Sequence, residues 1–133
     1  MSEARVGIVL VSHSSALAQG AAELAGQIGG GTVLIVPAGG TDDGRIGTSE
    51  AKVRKAIVAA NAGAGVLVLP DLGSAVLTLR VLLAEPAALP EPIALADAPF
   101  VEGAVAAAVA AAVGGDIKTV LAAAEEARNA RKL

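Results

Sequence analysis

The stretch VGIVLVSHSS, Val6 to Ser15, decides how the rest of the chain reads. Its first six residues are apolar without alternation, which describes a strand covered on both faces. The run ends abruptly at Ser12, His13 and Ser14, and His13 is the only histidine among 133 residues. A buried strand that stops at a lone imidazole delivers that imidazole to the rim of a sheet.

Three further runs have the same character: TVLIVP (32–37), GVLVLP (65–70) and PIALA (92–96). Segments of helical period lie between them. Leu17, Ala21, Leu24, Ala25 and Ile28 make one stripe, and Val53, Ile57 and Ala60 make a second. A third helix, from Ser74 to about Glu85, is apolar nearly all round, with only Thr78 and Arg80 as strongly polar interior positions. It has more apolar circumference than one sheet face covers, so a homodimer is expected. A fourth helix follows Pro99 and a fifth runs from about Asp116 to Arg131. The order βαβαβαβαα predicts an α/β fold, an open, mostly parallel, doubly wound sheet of about four strands flanked by helices.

Composition narrows the function. The chain is 54% hydrophobic but 1% aromatic, so its core is built from Val, Leu, Ile and Ala. A net charge of -3 with interspersed signs offers no basic stripe for phosphate backbones and no rings for base stacking, which argues against nucleic acid as a partner. Cysteine is absent, which fits a reducing compartment. The run VEGAVAAAVAAAV (101–113) falls short of the roughly 20 residues of a membrane span, and the run 6–11 is too short for a signal peptide core. The expectation is one cytoplasmic domain over residues 1–133, with no membrane partner.

In an open α/β sheet, ligands bind beyond the carboxyl ends of the strands, at the point where the winding reverses. Every unusual cluster of this chain falls there: SHSS, AGGTDDGRIGTS, DLGSA and DAPFVEG. A histidine in such a place can be a general base, a metal ligand or a nucleophile. Metal wants three or four N, S or O ligands, and one His with no Cys supplies too few, so no metal site is expected. A Ser-His-Asp hydrolase is formally available from Ser12, Ser14, Ser15, Ser74 and Asp71, but no G-x-S-x-G elbow is present.

A nucleophilic imidazole needs one free nitrogen, a partner fixing the tautomer through the other, and donors for an incoming anion. Asp71 is the natural partner if the first and third strands are neighbours; the same residue could equally be a plain helix cap. Gly39 and Gly40 can present bare backbone N–H groups. Ser14, Thr48 or Ser49, and Ser74 beside Gly73 stand where helices begin and anions are favoured.

Taken together, GIVLVSHS, AGGTDDGRIGTS, VLVLPDLGSA and APFVEGAVAAAV resemble the mannose-type IIA domains of the sugar phosphotransferase system. Within that group they are most similar to the phosphotransferase subunits of phosphoenolpyruvate-dependent dihydroxyacetone kinases. The four motifs occur in order over nearly the whole chain. The resemblance implies an open α/β sheet, usually dimeric, and a phosphohistidine relay without a cofactor of its own. His13 would accept a phosphoryl group from the phosphocarrier HPr and pass it to ADP held on the DhaL subunit. The regenerated ATP would then serve DhaK, the subunit that carries dihydroxyacetone. Where the family commonly continues DLGSA with Met-Asn and then an acidic residue, this chain has Leu77, Thr78 and Arg80. Some members run on into fused HPr-like and enzyme I-like domains, and a stop at Leu133 implies a donor supplied in trans.

Two rivals use the same switch point. A small cobalt or iron chelatase also ends its first strand in a histidine, but usually brings a second to the metal. A flavodoxin-like module usually stacks its ring on aromatics, and Phe100 is the only one in this chain.

Overall fold

The computed structural model describes residues 4–85 and 89–133. The chain runs β1 (Gly7–Ser12), α1 (Ser15–Ile28), β2 (Ile35–Gly39), α2 (Glu50–Ala60), β3 (Val66–Pro70), α3 (Gly73–Ala84), β4 (Ile93–Leu95), α4 (Phe100–Ala112) and α5 (Ile117–Glu126), closing in a 3-10 turn, Ala127–Asn129. The strands form one sheet in the order β2-β1-β3-β4, every pair parallel. The winding therefore reverses between β1 and β3, where His13 and Asp71 emerge.

All six residues of β1 are buried. Ile8 and Leu10 pack with Leu67 and Leu69 under the alanines of α1 and α4. Val9 and Val11 face the other way, with Val66 and Val68, onto Val53 and Ile57 of α2 and Leu79 and Leu82 of α3. Both faces of the central strands are thus closed, the condition under which parallel sheets persist. Among the described residues no helix is long and apolar enough to cross a membrane.

The stripe expected on α1 is shifted. The residues that face the core are Ala18, Ala21 and Ala25, while Leu17 and Leu24 are 45% exposed and Ile28 55%. The cause is close approach: a Cβ on Gly29, just past the helix, would lie 2.9 Å from the Cβ of Ala108 in α4. At such spacing only small side chains fit between the elements, and the leucines move to the flanks. On α2, by contrast, Val53, Ile57 and Ala60 are all buried as expected.

Two prolines set where pairing stops. The second strand begins at Ile35 and continues through Pro37 to Gly39, later at both ends than the apolar run 32–37 suggests. The Ile8 N–H donates to Leu34 O at 2.9 Å, and the Gly40 N–H to Ser12 O at 3.1 Å, so the even-numbered residues of this strand bond β1. Pro37 is odd, and its missing N–H faces the open edge, where proline is tolerated and discourages unwanted pairing. Pro70 acts on the other side. The Ala96 N–H donates to Val68 O at 2.9 Å, so the next even residue of β3 would donate toward β4; a proline there has no donor. The β3–β4 ladder ends at Val68 and Leu95, and a cavity of about 410 Å³ opens beyond it, lined by residues including Asp71, Gly73, Val76, Arg80 and Leu95.

Candidate active site at the carboxyl edge of the central strands

His13 and Asp71 are brought together as the order of the strands requires. The carboxylate Oδ1 lies 2.9 Å from His13 Nδ1, with the side chains 19% and 7% exposed. An ionised carboxylate only accepts hydrogen bonds, so Nδ1 carries the proton of the neutral ring and Nε2 carries the lone pair. Nε2 faces Ser74, whose Oγ is 2.6 Å away and donates to it.

Asp71 is itself held on every side. Its Oδ2 accepts from Ser12 Oγ at 2.8 Å and from the His13 N–H at 3.1 Å, and its Oδ1 also accepts from the Leu72 N–H at 2.8 Å. Burial pushes this carboxyl up, but the bonds from the His13 side chain, the Ser12 hydroxyl and the His13 amide outweigh it, leaving the group below its ordinary value of 3.8. The aspartate is therefore ionised at neutral pH and ready to favour positive charge on the ring.

Ser12 is the residue whose role the sequence concealed. It is fully buried, donates to Asp71 and accepts from the Ser14 N–H at 3.0 Å. Its signal is one of position only: a serine closing a run in which every other member is apolar. Ser14 caps α1, its Oγ accepting from the Leu17 N–H at 3.2 Å.

The helix starts differ in kind. Ser49 caps α2 by accepting from the Lys52 N–H at 3.1 Å, and its hydroxyl also donates to Asp42. Ser74 does not begin α3. Leu72 occupies the cap position and makes no side-chain hydrogen bond, so among the described residues no side chain caps the first amides of α3, Gly73 and Ser74 among them. A Cβ on Gly73 would meet nothing within 4 Å. This is an open helix N-terminus beside Nε2, with the partial positive charge such an end carries.

The glycine-rich segment after β2 has other duties. A Cβ on Gly39 would lie 2.6 Å from Ser14 O, so this glycine exists to let α1 begin. Gly40, at φ +75°, donates its N–H to Ser12 and forms a bridge with Thr48. The Gly47 N–H donates to His13 O at 2.9 Å, and those of Thr41 and Gly44 close turns within the loop. These contacts brace the backbone of His13. No hydrogen bond joins the side chain of Thr48 or Ser49 to the imidazole.

The family model described as EIIA-man, the fructose IIA component of the phosphotransferase system, matches residues 7–121. A DhaM phosphoryl donor subunit of a PEP-dependent dihydroxyacetone kinase from Listeria innocua is 37% identical over 87% of this chain and 94% of its own length. DhaM of Escherichia coli is 42% identical over 96% of this chain, which spans 28% of that longer protein. A crystal structure of a protein of unknown function, EF1359, superposes with a TM-score of 0.80 at 36% identity, over 97% of each chain. The chain thus belongs to the EIIA-man family of phosphotransferase-system components, among the DhaM subunits of PEP-dependent dihydroxyacetone kinases.

Proposed function

We propose that this protein is a phosphohistidine relay in a dihydroxyacetone kinase system, with His13 Nε2 as the atom that carries the phosphoryl group. The observation that carries the reading is the pairing of a tautomer fixed by Asp71 with an uncapped helix N-terminus beside the free nitrogen. The named relatives, phosphoryl donor subunits, support it.

In the first step the Nε2 lone pair attacks phosphorus on phospho-HPr, in line with the bond that breaks, and the leaving electron pair returns to the donor's imidazole. Ser74 Oγ now stands where phosphorus must arrive. Its hydroxyl turns aside and donates to a phosphoryl oxygen, joined by the amides of Gly73 and Ser74. Positive charge grows on the His13 ring, and Asp71 stabilises it through the Nδ1–H bond. In the second step a terminal oxygen of ADP, held by DhaL, attacks the same phosphorus and the P–N bond breaks back onto Nε2. ATP formed there is used on dihydroxyacetone at DhaK. The protein needs no cofactor in this scheme, and we place it in the cytoplasm with its partners.

Of the anion-binding residues anticipated from sequence, Gly73 and Ser74 contact the phosphoryl group directly in this proposal. Ser14, Gly39, Gly40, Thr48 and Ser49 shape and brace the rim around it. The working form is a homodimer, since α3 leaves Leu77 67% and Val81 60% exposed on its outer face, a surface that a second copy would cover. A relay assay tests the whole reading. Label from phosphoenolpyruvate, delivered by enzyme I and HPr, should reach this chain and leave it on addition of ADP-loaded DhaL; label that never arrives would defeat the proposal.

A further inference from the structure

Phosphoryl relay uses Asp71 and the lone pair of Nε2, but it does not need a hydroxyl resting on that lone pair. Ser74 Oγ at 2.6 Å from Nε2, with Asp71 at 2.9 Å from Nδ1, is the geometry of a serine nucleophile, its base and the acid that orients the base. We propose that Ser74, His13 and Asp71 also constitute an acyl-transfer triad, with Ser74 Oγ as the nucleophile toward small activated esters.

Three further features support it. Ser74 is exposed at the second position of α3, directly after the strand and turn that carry Asp71. The amides of Gly73 and Ser74, at an N-terminus that no side chain caps, are available as donors to a tetrahedral oxyanion. A cavity of about 410 Å³ lined by Asp71, Leu72 and Gly73 opens at the same turn, adjoining the residue before the serine. A G-x-S-x-G elbow is lacking, and in this proposal the first turn of α3 takes its place in presenting the serine.

The chemistry balances without another reagent. Ser74 Oγ attacks the carbonyl carbon while its proton passes to Nε2. Collapse of the tetrahedral intermediate breaks the bond to the alcohol, which takes that proton and leaves. Water, activated by Nε2 in the same way, attacks the acyl-serine and releases the acid. The hydroxyl must stay on Nε2 for this reaction and must leave it for phosphorylation, so the two activities exclude one another.

The test uses the full chain, unphosphorylated, with p-nitrophenyl acetate. A burst of about one nitrophenolate per chain is expected, with an acetyl mass gain on Ser74 and an acylation rate at least about 10²-fold above free imidazole at equal concentration. Ser74→Ala should abolish the burst. That variant changes an exposed first-turn residue to the best helix former, so loss of fold does not explain the loss. His13→Ala should abolish it as well, and phosphorylation of the parent at His13 should suppress it. A burst that survives Ser74→Ala, an acetyl group on His13, or a rate no faster than free imidazole would each overturn the triad, whatever the phosphorylation assays show.

Discussion

The loop that follows β2 and the turn that follows β3 both carry glycines to the same rim, and they differ in what their amides are doing. In the first, the N–H groups of Gly40, Thr41, Gly44 and Gly47 are all engaged, with Ser12, with the loop itself or with His13. In the second, a short turn from Asp71 leads into a helix whose cap position makes no side-chain bond. The loop is longer and richer in glycine, yet it is the turn that can receive an anion. A donor matters at a site only if the fold leaves it without a partner, and glycine content does not report that.

The most severe way to break this comparison is to remove His13, the proposed nucleophile. His13→Ala should take up no acid-labile, base-stable phosphate from phospho-HPr; label persisting in that variant, or mapping to a serine, would refute the assignment. Next comes Asp71→Asn, which keeps size and loses charge. In a serine-protease triad the corresponding change costs about 10⁴ through the wrong tautomer. In the proposed relay the ring itself is the nucleophile and the helix end remains, so rapid-quench phosphorylation should fall by roughly 10² to 10³, about 3 to 4 kcal/mol of barrier. Circular dichroism should show the fold intact, and a folded variant reacting at the parent rate would reduce Asp71 to a structural residue.

Ser74→Ala should slow phosphoryl uptake by about tenfold, the worth of one hydrogen bond to a charged group. Ser49→Ala sharpens the contrast from the other side. It removes the cap of α2 and should lower unfolding stability by about 1 kcal/mol in urea, with phosphorylation closer to the parent rate than in any variant of the β3 turn. The smallest effect concerns pH. Asp71 has a folded pKa lowered from 3.8, so it contributes stability that is complete above the unfolded value and is lost as pH falls through the folded one. Between pH 4 and pH 3, parent stability should decline more steeply than that of Asp71→Asn; equal slopes would show that the carboxylate gains nothing from its four hydrogen bonds.

Much of this was legible in sequence because the central strands are uninterrupted. VGIVLV and VLVLP have no polar face to mislead, and both run out just before the paired residues His13 and Asp71. Their adjacency followed from the usual order of doubly wound sheets. The edge was harder. Pro37 reads as a stop, but on an outer strand it only blunts the free side, so β2 runs on to Gly39. On α1 the hydrophobic pattern pointed at leucines, whereas packing distance chose the alanines. Ser12 stayed hidden because burial and hydrogen bonding across the sheet, from residue 12 to residue 71, leave no trace in local pattern. The uncapped start of α3 was obscured by Ser74 itself, a residue type that ordinarily caps but here turns toward the imidazole.

In the proposed relay Nε2 of His13, and no other atom, carries the phosphoryl group, because Asp71 holds Nδ1. The direct measurement is phosphorus-coupled nitrogen NMR on protein labelled with ¹⁵N in its single histidine and phosphorylated by enzyme I, HPr and phosphoenolpyruvate. The account predicts phosphorus coupling to Nε2, with Nδ1 still protonated and bonded to Asp71. Coupling to Nδ1, or a phosphate signal with no coupling to the His13 ring, would contradict it.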